Sequence, residues 1–174
     1  SEKSFNKLSK IGSVYSWYAE KQIAFMLYDQ NKKNDAVNSL KKAYQKINPD
    51  VYQIYDFANF LRNNEKYDDA ITLYSSILTK IKKSNDLYPK ILDKRGTSYE
   101  RVNKLDLSEK DLLESLKFIP DQPYVINYLA YSWIEQGKNL DRSLKMLRKA
   151  NELKKNDGYI TDSLGWALYK LNKY

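Results

Sequence analysis

PDQPYVINYLAYSWIEQGKNLD, residues Pro120–Asp141, sets its apolar side chains at Ile126, Leu129, Ala130 and Trp133. Steps of three and four residues put all four on one face of a helix, where a strand would need strict alternation. The small residue of this frame recurs along the chain as Ala24, Ala58, Gly96, Ala130 and Gly165, at spacings of 34, 38, 34 and 35. About twelve residues after each of the first four stands another small residue: Ala36, Ala70, Ser108 and Ser143. Four further on is a large one, Leu40, Tyr74, Leu112 or Leu147, and three beyond that lie Ala43, Ile77, Ser115 and Ala150. A period of this length with helical spacing inside it describes units of two helices each. The small residues let paired helices approach closely, and the large ones fill the groove beside them.

Turn chemistry supports the same division. Asn48-Pro49-Asp50, Pro120-Asp121 and Asn156-Asp157-Gly158 fall between units, where they supply breakers and acceptors for helix N-termini. Asn63-Asn64, Asn103 and Gly137 mark the hairpins within units, and no proline is forced into a helix interior. The expected helices span about 13–30, 33–46, 51–63, 67–83, 86–102, 105–118, 122–136, 140–154 and 158–171, after a short helical piece at about 3–10. The 38-residue unit carries four extra residues in TKIKKSNDLYPK, which predicts a second helix about one turn longer there.

The composition removes several kinds of function. With 42% hydrophobic and 30% charged residues, the 174-residue chain has the make-up of a globular domain. It has no cysteine and no histidine, which excludes disulfides, zinc sites of the usual Cys/His type and every nucleophile paired with histidine. Lack of cysteine fits a reducing or an oxidising compartment equally, so cytoplasm and periplasm both stay open. No apolar run reaches the roughly 18 residues of a membrane span, and SEKSFNKLSK has neither the apolar stretch nor the cleavage site of a signal peptide. The net charge is +8, with 25 Lys and 5 Arg beside many Asn and Tyr, a mixture that reads as drift of an AT-rich genome rather than selection for an acidic partner.

The repeat resembles the tetratricopeptide repeat, W-x2-L-G-x2-Y, then A-x3-F, then P. Ile126, Leu129, Ala130 and Trp133 follow its first part, as do Thr161, Leu164, Gly165 and Leu168. Leu92, Arg95, Gly96 and Tyr99 follow it with a charge where an apolar residue is expected; no unit has the opening Trp, and the closing Pro appears only as Pro120 and, one residue late, Pro49. PDQPYVINYLAYSWIEQGKNLD and DGYITDSLGWALYKLNKY further resemble uncharacterised bacterial, often proteobacterial, tetratricopeptide proteins. The expected fold is therefore all-α, an α-solenoid of antiparallel helix pairs wound as a right-handed superhelix. It would form one array over residues 1–174, with units at about 17–50, 51–88, 89–122 and 123–157 and a partial unit at 158–174. GYITDSLGWALYKLNKY supplies only the first helix of that last unit, and SFNKLSKIGS reads as the tail of an earlier one, so the sequence reads as part of a longer array. The final helix would then expose Leu164, Leu168 and Leu171 and could pair with a second molecule.

The resemblance also implies which side chains line the concave groove formed by the first helices. They are Tyr18, Lys21, Gln22, Phe25 and Tyr28; then Tyr52, Tyr55, Asp56, Asn59 and Arg62; then Lys90, Asp93, Lys94, Thr97 and Arg101. The fourth unit gives Tyr124, Asn127, Tyr128, Tyr131 and Ile134, and the fifth Tyr159, Asp162, Trp166 and Tyr169. Tyr and Trp are rigid and amphipathic, which favours capture of a peptide or protein segment. The family's carboxylate clamp is a poor match: Lys21, Lys90 and Lys94 supply basic groups, yet Phe25 and Asp56 stand where asparagine is needed. Nucleic acid is the alternative from composition, but Lys32-Lys33, Lys41-Lys42-Lys46, Lys80-Lys82-Lys83 and Lys154-Lys155 fall mostly on second helices, away from the aromatics. A purely structural, self-associating segment is a further alternative. Catalysis, a metal and a cofactor are not expected, because there is no phosphate loop or ligand cluster, and Asp56 with Asp93 is a weak acid–base pair in an open groove.

Overall fold

The computed structural model describes residues 14–172. Among them are nine helices and no strand: α1 (Val14–Asp29), α2 (Lys33–Tyr44), α3 (Val51–Asn63), α4 (Tyr67–Leu78), α5 (Leu87–Arg101), α6 (Leu105–Phe118), α7 (Pro123–Glu135), α8 (Leu140–Leu153) and α9 (Gly158–Lys170). The helical piece expected at 3–10 and the last two residues lie outside the described stretch. Helices pair in sequence, α1 with α2, α3 with α4, α5 with α6 and α7 with α8, while α9 packs on both α7 and α8. The fold class is the all-α helical repeat. The chain forms two compact units, one ending at Lys80 and holding α1–α4, the other beginning at Ile81 and holding α5–α9.

Inside each hairpin the recurring residues do what their sizes require. Ala24, Ala58, Gly96 and Ala130 are buried, as are Ala36, Ala70, Ser108 and Ser143 on the second helices. Leu40, Tyr74, Leu112 and Leu147 are at most 1% exposed, and burial of each contributes about 1.5–3 kcal/mol. At Gly96 a Cβ would lie 2.9 Å from Leu112 Cδ2 and 3.2 Å from Asp111 Cβ, so α5 and α6 meet at a separation that only glycine permits. Gly165 differs: it is exposed, with nothing within 4 Å of a Cβ.

The charge at Arg95 is absorbed by its own hairpin. Its Nε and Nη2 donate to Asp111 Oδ2 and Oδ1 at 2.6 and 2.8 Å, and the guanidinium lies 5.6 Å from the centre of the Tyr99 ring. Burial works against the charge, but the hydrogen bonds and charge of Asp111 prevail and raise the Arg95 pKa.

Turn geometry repeats with the same period as the small residues. Asn31, Glu65, Asn103, Gly137 and Asn172 all have positive φ, between 49° and 67°, at spacings of 34, 38, 34 and 35. Each of the first four is followed by a lysine whose N–H closes back five residues: Lys32 on Leu27, Lys66 on Leu61, Lys104 on Tyr99 and Lys138 on Trp133, at 2.8–2.9 Å. This is the Schellman ending of a helix, which satisfies carbonyls that would otherwise be orphaned. In the second hairpin the left-handed residue is Glu65, not Asn63 or Asn64, because Asn64 still belongs to the helix end and its Nδ2 donates to Phe60 O at 2.8 Å.

Between units, Asp50 forms a capping box with Gln53, and Asp157 accepts from the Ile160 N–H. Asp121 does not cap. There Gln122 precedes Pro123 at the first helical position, and its Nε2 donates to Ser115 Oγ and Ile119 O.

The extra turn expected in the 38-residue unit does not form. Helix α4 ends at Leu78, and the inserted residues make a chain of turns. Ser76 and Thr79 hydroxyls bond back to the carbonyls of Leu73 and Ser76, offering the backbone an alternative to the helix, and Asn85 then accepts from the Leu87 N–H. The division between the two compact units falls in this connection.

In the second unit α9 buries Ile160 against Ile126 and Ala150, and Ala167 against Ala130, Ile134, Leu144 and Leu147. Leu164, Leu168 and Leu171, expected as an exposed strip, are half-buried against that second cluster, because they flank Ala167 on the side of α9 turned toward α7 and α8.

Candidate interaction surface

In the first unit, α1 and α3 lie side by side and spend much of their polar and aromatic surface on each other. Lys21 Nζ donates to Asp56, and the Phe25 and Phe60 rings meet edge to face at 5.7 Å. Tyr74 donates to Asn59 Oδ1 at 2.7 Å and lies against Tyr55, while Tyr28 sits beneath Lys33 Nζ. Arg62 is half-buried. What faces solvent is Tyr18 at 54%, Tyr52 at 62%, Gln22 and part of Phe25. Trp17, which the repeat pattern does not single out, is fully buried between Tyr44 and Phe57 and anchors this unit's core.

In the second unit, the side chains of α5, α7 and α9 divide into buried and exposed sets. Thr97 and Ile134 are buried, and Asn127 is 0% exposed, so these three do not front the surface. Lys90 is exposed, and Lys94 donates to its neighbour Asp93 at 3.0 Å. Tyr124 is held at one end: Lys154 Nζ donates to its oxygen at 2.6 Å, and its O–H donates to Asp157 at 2.7 Å. That hydrogen bond from Tyr124 is the chief reason the Asp157 carboxyl is held below its usual pKa.

The middle of this surface is aromatic. Tyr128 and Tyr159 lie 5.8 Å apart, and burial first, then the hydrogen bond with Tyr128, raises the Tyr159 pKa. Trp166 stacks on Tyr169, and its Nε1–H donates to Glu135 Oε1 at 2.7 Å. Tyr131 remains 37% exposed; burial raises its pKa, and the carboxylates of Glu135, Asp162 and Glu100 add to the shift. Sequence reading named the tyrosines but missed Glu100 and Glu135. The signal for Glu135 was its place four residues after Tyr131, on the same helical face.

Across both units, exposed aromatics concentrate on first helices: Tyr18, Phe25, Tyr52, Tyr124, Tyr131, Tyr159, Trp166 and Tyr169 all lie there, and on second helices only Phe118 does among the described residues. The lysines of Lys41-Lys42-Lys46 and Lys154-Lys155 are exposed on or just beyond second helices. Lys21 and Lys94, which a carboxylate clamp would need open, are each held by an aspartate, and those same pairings occupy Asp56 and Asp93. Among the described residues, no group of acidic side chains is arranged to hold a metal ion and no helix is long and apolar enough to cross a membrane.

No family model matches the chain. A TPR repeat-containing protein of Pseudomonas aeruginosa is 27% identical over 152 residues, covering 85% of this chain and 25% of that protein, so the chain spans about a quarter of this curated relative's length. MamA of Desulfovibrio magneticus superposes with a TM-score of 0.71 at 15% identity, over 90% of this chain and 86% of that one. YrrB, described as a TPR protein with an unusual peptide-binding site, superposes with a TM-score of 0.66 at 14% identity, over 99% of this chain and 86% of its own. These likenesses are of fold.

Proposed function

We propose that this chain, whose fold is that of tetratricopeptide-repeat proteins, is a protein-interaction scaffold that holds a peptide or protein segment against the exposed aromatics of its first helices. The observation that carries this reading is the sorting of exposed aromatic side chains onto first helices, while exposed lysines gather on the second. Rigid aromatic rings bury large area with little loss of side-chain entropy, which suits equilibrium capture and involves no chemistry. The peptide-binding site ascribed to YrrB supports such a use of the fold.

The test is a peptide-display selection on the chain, followed by titration of the selected peptides against wild type and the Tyr131→Ala/Trp166→Ala double variant. Each truncation of an anchor is expected to weaken binding by about 1–3 kcal/mol. Selected peptides that bind the folded double variant as tightly as wild type would overturn the reading.

A further inference from the structure

A groove of about 570 Å³ lies between the second helices of the second unit, and its lining side chains all come from α6 and α8. Its volume falls within the range of about 300–1,000 Å³ usual for ligand sites. The apolar part is Leu113, Leu116 and Met146, half-buried and resting on the core of Leu112, Val125, Leu129 and Trp133. That core holds the floor in place, while methionine, unbranched and polarisable, adapts to what is laid on it.

The rim is basic. Lys110, Lys117 and Arg142 line the groove against Glu114, so three cations face one carboxylate and leave two positive charges in excess. Glu114 is already satisfied, because it accepts from Lys117 at 2.8 Å and from Lys83, outside the groove, at 3.2 Å. Neither Lys110 nor Arg142 pairs with a carboxylate among the described residues. The Arg142 guanidinium lies 4.9 Å from the centre of the Trp133 ring, which holds that cation beside the apolar floor.

Lysine is abundant throughout the chain, so its presence alone decides nothing; the equivalent groove of the first unit does. There α2 and α4 enclose about 250 Å³. Tyr44 and Leu73 stand where Leu116 and Met146 do, eight residues after Ala36 or Ser108 and three after Ala70 or Ser143. The apolar floor is thus common to both grooves, but the charge is not. Arg142 is replaced by Asp69 and Lys117 by Gln45, and the remaining Lys41 balances Asp69.

The spacing of the cations bears on the occupant. Lys110 and Lys117 are seven residues apart, about 10 Å along α6, with Arg142 on the facing wall. Cations spread over that length match carboxylates distributed along a segment better than the single head group of a fatty acid. A nucleic-acid backbone would answer the cations and leave Leu113, Leu116 and Met146 uncovered. An amphipathic helix supplies both, with apolar anchors three and four residues apart and carboxylates on its flanks.

From this charge complementarity we infer that the groove between α6 and α8 is a second docking surface, which takes an acidic amphipathic helix of a partner protein: its apolar side chains seat on Leu113, Leu116 and Met146, and its carboxylates pair with Lys110 and Arg142. This site is separate from the aromatic surface of the first helices and does not depend on it.

Display selection of helix-forming peptides on the full chain, followed by fluorescence anisotropy of the recovered peptides, tests it. A class rich in Glu and Asp beside helically spaced Leu, Ile or Phe is expected. Its binding should weaken with added salt, fall about tenfold in the Lys110→Gln/Arg142→Gln variant, and be unchanged in Tyr131→Ala/Trp166→Ala. Circular dichroism establishes that the variants are folded, and Lys110→Glu, at an exposed side chain without an ion pair, carries the same test should the change at Arg142 disturb Trp133. Recovery of only neutral or basic peptides, or of acidic ones indifferent to Lys110 and Arg142, overturns the inference; peptides that depend on Tyr131 and Trp166 alone do so while leaving the first-helix reading standing. Binding of labelled oligothymidylate, of laurate or of a second copy of the chain that these substitutions abolish, with no acidic peptide recovered, also overturns it.

Discussion

Gly96 and Gly165 occupy the same place in the repeat, yet one methyl group should have opposite effects at the two. At Gly96 it would press into Leu112 and Asp111, and overpacking of this kind costs about 1–3 kcal/mol, partly offset by the roughly 1 kcal/mol by which alanine outperforms glycine in a helix. At Gly165 it meets nothing, so only the propensity gain remains. Gly96→Ala is therefore expected to destabilise by about 1 kcal/mol and Gly165→Ala to stabilise by about 0.5–1 kcal/mol. Urea denaturation with unchanged m-values checks both, and a loss of stability at Gly165 would show that its face is covered. The pair also shows what a repeat pattern conveys: it reports that a position demands a small residue, without saying whether the partner helix is there to demand it. Arg95 makes a similar point, since its departure from the pattern becomes intelligible only when Asp111, sixteen positions on, is placed beside it.

Helix endings carry the repeat as faithfully as the core does, because each hairpin needs a left-handed residue followed by a backbone bond across the turn. Asparagine and glycine tolerate that conformation, so the turns at Asn103 and Gly137 were legible in the sequence. Glu65 was not, since nothing about glutamate favours φ of 62°. Glu65→Gly should accordingly relieve the left-handed penalty and raise stability by about 1 kcal/mol, observable as a rise in thermal midpoint, whereas a destabilised variant would mean the turn closes elsewhere. The end of α4 was illegible for a related reason: Ser76 and Thr79 compete for carbonyls that a longer helix would need, and periodicity counts apolar positions without weighing that competition. Helix register was readable because small-residue spacing is a local constraint. Which groove positions are covered was not, because the burial of Asn127 and Ile134 depends on elements packed against α7 from elsewhere in the chain.

Over the whole molecule, the absence of histidine and cysteine leaves no side chain with an unperturbed pKa between about 5 and 8. The groups whose pKa values are displaced on folding lie outside that window. Hydrogen bonds from Lys117 and Lys83 hold Glu114 below its ordinary value, as the one from Tyr124 does for Asp157. A depressed carboxyl contributes stability that is fully present above its unfolded pKa and is lost as pH falls through the folded one. At the other extreme, Lys83 is raised by Glu114 and Lys154 by Tyr124, while burial raises Tyr44, Tyr131 and Tyr159. A raised group contributes stability that is present below its unfolded pKa and is lost as pH climbs through the folded one. The two sets together give a plateau. Unfolding free energy measured in urea should stay level between about pH 5 and 9, fall below about pH 4 as Glu114 and Asp157 take up protons, and fall again above about pH 10. The acid limb should be reinforced by self-repulsion, since protonating carboxylates drives a chain already at +8 further from neutrality. Exchange protection should disappear first at the start of α9, where Asp157 caps the helix through Ile160. A slope in stability across neutral pH would require a strongly displaced group other than these.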